Sequence, residues 1–147
     1  MRLHNKTAIV TGGASGFGAG IVRKFVAEGA QVLIADLNID LADALANELG
    51  PQAKTVRANV AQNDSVAAMT QAALDAFGKI DILVNNAGTT HLPAPMDDVS
   101  EEDFDKVFAV NCKSVFLTAK HIVPLMRAQG VGAILNVAST AAVSPRP

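Results

Sequence analysis

Tryptophan and tyrosine are both missing from the 147 residues, and cysteine occurs once. A lone thiol, Cys112, excludes an internal disulfide, and its place in a helical stretch reads as a small buried core residue. No apolar stretch approaches the ~20 residues of a membrane span. Twelve Lys and Arg against fourteen Asp and Glu leave a formal charge of −2, with no basic cluster to neutralise a run of phosphates, so neither membrane nor nucleic acid is an expected partner. His4, His91 and His121 are scattered without metal-ligand spacing, so no metal site is assigned. With no targeting segment ahead of the first apolar run, the expected location is the cytoplasm.

Half the residues are hydrophobic, enough for one domain with a real core. Apolar runs of strand length, Thr7 to Val10, Gln31 to Ala35, Ala53 to Ala58, Ile80 to Val84 and Ala133 to Val137, alternate with segments of helical period. The first helix carries Phe17, Ile21 and Phe25 with Val22 and Val26 on its apolar stripe and ends at Gly29; the second carries Leu41, Leu45 and Leu49 and closes at Gly50-Pro51. The third is capped near Asn63 or Asp64 and stopped by Gly78. A fourth, longer one starts at Ser100, with Asp103 in a variant capping box, and runs to about Gln129, with Pro124 bending its last turns. Its stripe of Phe104, Phe108, Asn111, Val115, Thr118 and Ile122 sets an amide on an apolar face. The acidic group Asp97, Asp98, Glu101, Glu102, Asp103 and Asp105 reads as a solvated face that suits this helix's positive end. The alternation predicts an α/β fold, a doubly wound parallel sheet covered by helices.

Between the first apolar run and the first helix lies Thr11-Gly12-Gly13-Ala14-Ser15-Gly16-Phe17-Gly18. A glycine-rich turn from a buried strand into a helix lets the backbone approach an anion, with the free N–H groups of the helix's first turn aimed at it. Asp36, at the end of the second apolar run, stands where a dinucleotide fold places a carboxylate on the adenosine ribose, although capping the next helix is an equal role for it taken alone. The five strands are followed by Thr11-Gly12, Asp36, Asn59, Asn85-Asn86-Ala87-Gly88 and Ser139, all polar or glycine. With right-handed crossovers and strand order 3-2-1-4-5, a Rossmann-like arrangement, the loops of the first and fourth strands flank one crevice, and Gly12 and Asn86 face one ligand.

These residues, Thr11-Gly12-x-x-x-Gly16-x-Gly18, Asp36, Asn85-Asn86-Ala87-Gly88, Asn111 and Ser139, resemble the short-chain dehydrogenase/reductase family over the whole chain. The resemblance implies hydride transfer between a nicotinamide dinucleotide and a small alcohol or ketone. It implies cofactor contacts from Thr11, Gly12, Ser15, Gly16, Phe17, Gly18, Asp36, Asn59, Val60, Asn86, Ala87 and Gly88, with Ser139 and Asn111 in the catalytic set. Asn111 would kink its helix, and Ser139 would hold the substrate oxygen. A carboxylate accepts from both ribose hydroxyls and repels a 2′-phosphate, and Leu37 and Asn38 supply no base, so NAD is expected over NADP. Asn59 departs from the Asp common in the family after the third strand. The loop Thr89 to Pro95 is expected to touch the substrate pocket, His91 being a surface residue, and the long helix from Ser100 implies a homodimer or homotetramer.

The family's Tyr-x-x-x-Lys pair is not in the chain, which ends Val143-Ser144-Pro145-Arg146-Pro147. The expectation is therefore the N-terminal part of a longer enzyme, a dinucleotide-binding domain over 1–147 that is incomplete and inactive alone. The alternatives are a catalytically silent NAD-binding module of the same fold and an S-adenosylmethionine-dependent methyltransferase, which Asn85 to Gly88 with Ser139 argue against.

Overall fold

A computed structural model of the chain describes residues 1–140; residues 141–147 lie outside the described residues. Five parallel strands, β1 (Thr7–Thr11), β2 (Gln31–Asp36), β3 (Ala53–Arg57), β4 (Ile82–Asn85) and β5 (Ala133–Asn136), form one sheet in the order β3-β2-β1-β4-β5, as the sequence predicts. β1 lies at the centre, paired with β2 from Thr7↔Gln31 to Thr11↔Ala35 and with β4 from Ala8↔Ile82 to Val10↔Val84. That register brings Thr11, Asp36 and Asn85 to one end of the sheet, the end at which a doubly wound fold binds ligands.

The helices are α1 (Gly16–Ala27), α2 (Ile39–Leu49), α3 (Asn63–Phe77), α4 (Glu101–Phe108) and α5 (Ser114–Gln129), with a 3₁₀ turn at Met96–Asp98. The strand side chains alternate between two cores. Ala8, Val10, Val32 and Ile34 pack with Val22 of α1 and Ala42 and Leu45 of α2. Ile9 and Leu33 point the other way, toward Val66 and Met69 of α3 and Leu117 and Ile122 of α5. Burying these large aliphatic side chains completely stabilises the fold by about 1.5–3 kcal/mol each.

Several expectations need correction. The long helix from Ser100 is two helices joined by a π turn at Ala109–Lys113, with Asn111 at its middle. One extra residue inserted into a helix rotates everything after it, so the stripe drawn through Phe104, Phe108 and Ile122 does not stay on one face. Phe104 and Phe108 are half exposed and stacked on each other, whereas Thr118 and Ile122 are buried. Cys112 lies in the π turn and is exposed, not in the core. Phe17 and Leu41 are exposed too; Val22, Ala42 and Leu45 take the buried positions. Pro124 sits within α5, which continues to Gln129. Ser100 caps α4 by accepting from Asp103 N–H at 3.1 Å, the half of the capping box that the sequence requires.

Candidate functional site

β1 ends in Thr11, whose hydroxyl is buried and fully engaged. It donates to the Val84 carbonyl at 3.3 Å and accepts from Asn86 N–H and Ala87 N–H, both at 3.1 Å. Asn86 returns the tie, its Nδ2 donating to the carbonyls of Thr11 at 2.9 Å and Gly12 at 3.0 Å. The loops after β1 and β4 are thus sewn together, which puts Gly12 and Asn86 side by side as the strand order requires.

Two glycines show why the loop reads as it does. A Cβ on Gly18 would overlap the Gly12 carbonyl oxygen and stand 2.6 Å from Asn86 Nδ2, so only glycine lets the start of α1 seat on the β1 loop. Gly16 has φ +53° and open space where its side chain would be. The first four N–H groups of an α-helix, the cap residue's included, have no intrahelical acceptor. At Gly16 the first turn of α1 therefore presents its amides and the positive end of its dipole with no side chain in the way, a cradle that fits an anion.

Asp36 closes the other side. Its Oδ2 accepts from Ala14 N–H in the glycine loop at 3.0 Å, and its Oδ1 accepts from Asn38 N–H at 2.9 Å. The cap of α2 is Asn38, whose Oδ1 accepts from Leu41 N–H at 3.1 Å, so Asp36 is released from the capping role. Asn59 uses its own Oδ1 on Ala61 N–H at 3.0 Å, and its backbone N–H donates to Ser65 Oγ at 2.8 Å.

These elements enclose a crevice of about 410 Å³. Gly12, Ser15, Phe17 and Gly18 line it from the glycine loop, Asp36 and Leu37 from the end of β2, Ala58, Asn59 and Val60 from the end of β3, and Asn86 to Thr89 from the end of β4. Lys106 and Val110 complete it from α4 and the π turn. Sequence reasoning missed these two, whose i, i+4 spacing ahead of Asn111 was the available signal, and also the crevice positions of Leu37 and Ala58, which adjoin Asp36 and Asn59. Of the expected cofactor residues, Thr11 and Gly16 do not line the crevice. Thr11 ties the two loops beneath it, and Gly16 leaves its space open.

Asn111 and Ser139 stand apart from that wall. Asn111 is solvent-facing, contrary to the expected core-facing amide, yet both ends of its side chain are satisfied. Oδ1 accepts from Thr89 N–H at 2.9 Å and Nδ2 donates to Thr89 O at 2.8 Å, which pins the loop after β4 to the π turn. Ser139 follows β5 by three residues on the same end of the sheet and is exposed. Asn85 Nδ2 donates to Asn136 Oδ1 of β5 at 2.8 Å, and the buried Thr118 Oγ1 donates to Asn85 Oδ1 at 2.9 Å. Asn85 thereby fixes β5 and α5 to β4. At the opposite end of the sheet, burial pushes the Asp81 carboxyl up. Hydrogen bonds from Lys79 and Thr7 N–H, with the charges of Lys79 and Lys6, outweigh burial and hold it below the ordinary range.

Among the described residues no cluster of His, Cys, Asp and Glu could hold a metal ion, and no helix is long and apolar enough to cross a membrane. A doubly wound sheet with a glycine turn, an acid at the neighbouring strand end and one crevice over both defines a Rossmann-like nucleotide-binding domain.

The chain belongs to the short-chain dehydrogenase family, whose model matches residues 6–147. It is 45% identical over 150 residues to 4-formylbenzenesulfonate dehydrogenase of Comamonas testosteroni, with all of this chain and 60% of that protein covered. It is 43% identical over 143 residues to galactitol 2-dehydrogenase of Agrobacterium fabrum, covering 96% of this chain and 55% of that one. A crystal structure of 3-ketoacyl-(acyl-carrier-protein) reductase from Brucella melitensis complexed with NADH superposes with a TM-score of 0.95 at 42% identity, over 99% of this chain and 62% of that chain. The chain thus spans little more than half the length of these relatives. Membership sets aside the methyltransferase reading.

Proposed function

We propose that the crevice binds NAD in preference to NADP, and that the whole protein is an oxidoreductase moving hydride between NAD(H) and a small alcohol or its carbonyl partner. The observation that carries this reading is the meeting of the open first turn of α1 with the Asp36 carboxylate in one crevice. In this reading the amides at Gly16, Phe17 and Gly18 hold the pyrophosphate, and Asp36 accepts from the adenosine ribose hydroxyls. Asn59, Val60 and Val110 flank the adenine, and Gly12, Ser15, Asn86, Ala87 and Gly88 form the floor, with Thr11 positioning the two loops.

Bound nicotinamide supplies or accepts the hydride. The chain's own part on the reacting side is orientation. The Ser139 hydroxyl holds the substrate oxygen, and Asn111 keeps the π turn and the Thr89 loop in register. The tyrosine and lysine that move the proton in the family have no counterpart among the 147 residues. A small alcohol or ketone is the substrate class we favour, galactitol 2-dehydrogenase being one of the relatives. The cytoplasm and a homodimer or homotetramer are the matching location and assembly.

Calorimetric titration of the whole protein with NAD and NADP tests the cofactor assignment. NAD should bind about tenfold or more tightly, since a 2′-phosphate beside Asp36 sets like charges together. Equal affinities would refute the preference, and absence of binding by either would refute the site.

A further inference from the structure

The glycine loop has two sets of amides, and Asp36 separates them. Gly12 N–H and Gly13 N–H donate to the Ala35 carbonyl at 2.8 and 3.4 Å, and Ala14 N–H donates to Asp36 Oδ2 at 3.0 Å. Three consecutive amides are thereby turned inward against the end of β2, and the turn into α1 at Gly16 leaves the next amides facing the crevice. The first two inward bonds use a backbone carbonyl that any residue at 35 would supply. The third depends on one side chain. The same carboxylate holds Asn38 N–H, while the Asp36 carbonyl accepts from Ala58 N–H at 2.9 Å, so Asp36 stands where the glycine loop, the entry to α2 and the exit of β3 meet.

We propose that Asp36 is a positioning residue for the glycine loop as well as the residue that selects the ribose. By holding Ala14 N–H it fixes, before any ligand arrives, which amides are left for the pyrophosphate. This rests on the nucleotide reading of the crevice and deepens it. An ionised carboxylate has about four lone-pair positions, so two backbone donors leave room for two ribose hydroxyls. The consequence is that cofactor choice and loop order cannot be altered independently at this position. An Asp36→Ala variant loses repulsion toward a 2′-phosphate but also loosens the anion cradle, so NADP binding gains nothing while NAD binding falls.

Hydrogen–deuterium exchange on the whole protein without cofactor tests the loop claim directly, with α3 peptides as the internal reference. A hydrogen bond to a charged group is worth about 1.5–3 kcal/mol, so the inward-held amides of residues 12–14 should exchange about tenfold or more faster in Asp36→Ala. Asp36→Asn keeps an acceptor oxygen for Ala14 N–H and should stay within about threefold of the parent. Asp36→Ser takes the place of the alanine variant should that one fail to fold. Unchanged loop exchange in Asp36→Ala, or Asp36→Asn as fast as Asp36→Ala, overturns the proposal. Tighter NADP binding by Asp36→Ala than by the parent overturns it as well. Faster loop exchange in a protein that binds neither NAD nor NADP would uphold the positioning role and defeat the nucleotide reading instead.

Discussion

All five residues of β1 are buried, whereas all four of β5 are exposed. β1 has a paired strand on each side and a helical layer on each face, so its side chains feed both cores. Among the described residues β5 pairs with β4 alone, and Ile134, Leu135 and Val137 stand 43–50% exposed, as Phe104, Phe108 and Phe116 do on α4 and α5 at 51–64%. The division runs through the function as well. The nucleotide crevice is built on the enclosed half, where backbone geometry is fixed by packing. Asn111 and Ser139 lie on the half that carries these exposed side chains, where hydrogen bonds through Thr89 and Asn85 tie the described elements together. In the function proposed above, cofactor contacts would draw on packing and substrate contacts on hydrogen bonds within the same sheet.

The sharpest test of the enclosed half is Gly18→Val. Its side chain has to displace the Gly12 carbonyl or lift α1 off the loop, so a loss of about 3 kcal/mol or more is expected, read as a lower urea midpoint. A variant with the parent's midpoint would break the claim that close packing dictates this glycine. The comparison of the two halves is tested next by a pair of truncations. Ile9→Ala, in the buried centre, should lose about 2–5 kcal/mol. Ile134→Ala, on the exposed strand, should lose about 1 kcal/mol or less, because much of its apolar surface already faces water. Equal losses would erase the distinction.

A smaller effect belongs to acid. Glu28 is held down to about 2 by Arg2 N–H and by the side chains of Lys24 and Arg2, and Asp81 lies below its ordinary range for the reasons given above. A carboxyl whose folded pKa is depressed stabilises the protein above its unfolded value and loses that contribution as pH falls through the folded one. Stability should therefore decline from about pH 4 toward pH 2, the unfolded carboxylate values being about 4. Asp81→Asn and Glu28→Gln should each flatten that decline in a urea-midpoint profile, Asp81→Asn more because it ties Thr7 of β1 to Lys79 ahead of β4. A profile unchanged by both substitutions would locate the acid sensitivity elsewhere.

Strand order, the first three helices and the meeting of Gly12 with Asn86 were all legible in the sequence, because period, glycine placement and crossover handedness are local or topological rules. The π turn was not. Asn111 marked an oddity on an apolar stripe, but a continuous 3.6-residue period carried past Ala109 put Phe104 and Phe108 in a core they do not enter and buried Cys112, which is exposed. Lys106 and Val110 also went unread: one lies on α4 ahead of the π turn and the other within it, a pairing marked only by their i, i+4 spacing. Thr11 is expected at the cofactor because it begins the glycine motif; that its hydroxyl is engaged by Val84, Asn86 and Ala87 depends on the fourth strand, 73 or more residues away, and no local pattern carries it.

Gly16 offers the most direct measurement of the central claim, since its left-handed backbone accepts Asn or Asp and nothing crowds its side-chain position. Gly16→Asn and Gly16→Asp should both fold, with similar melting temperatures. If the first turn of α1 holds a pyrophosphate, calorimetry on the whole protein will find NAD at least about tenfold weaker on the Asp variant than on its neutral Asn counterpart, with the gap shrinking as salt is raised. Equal NAD affinity in the two variants at low salt would contradict the account.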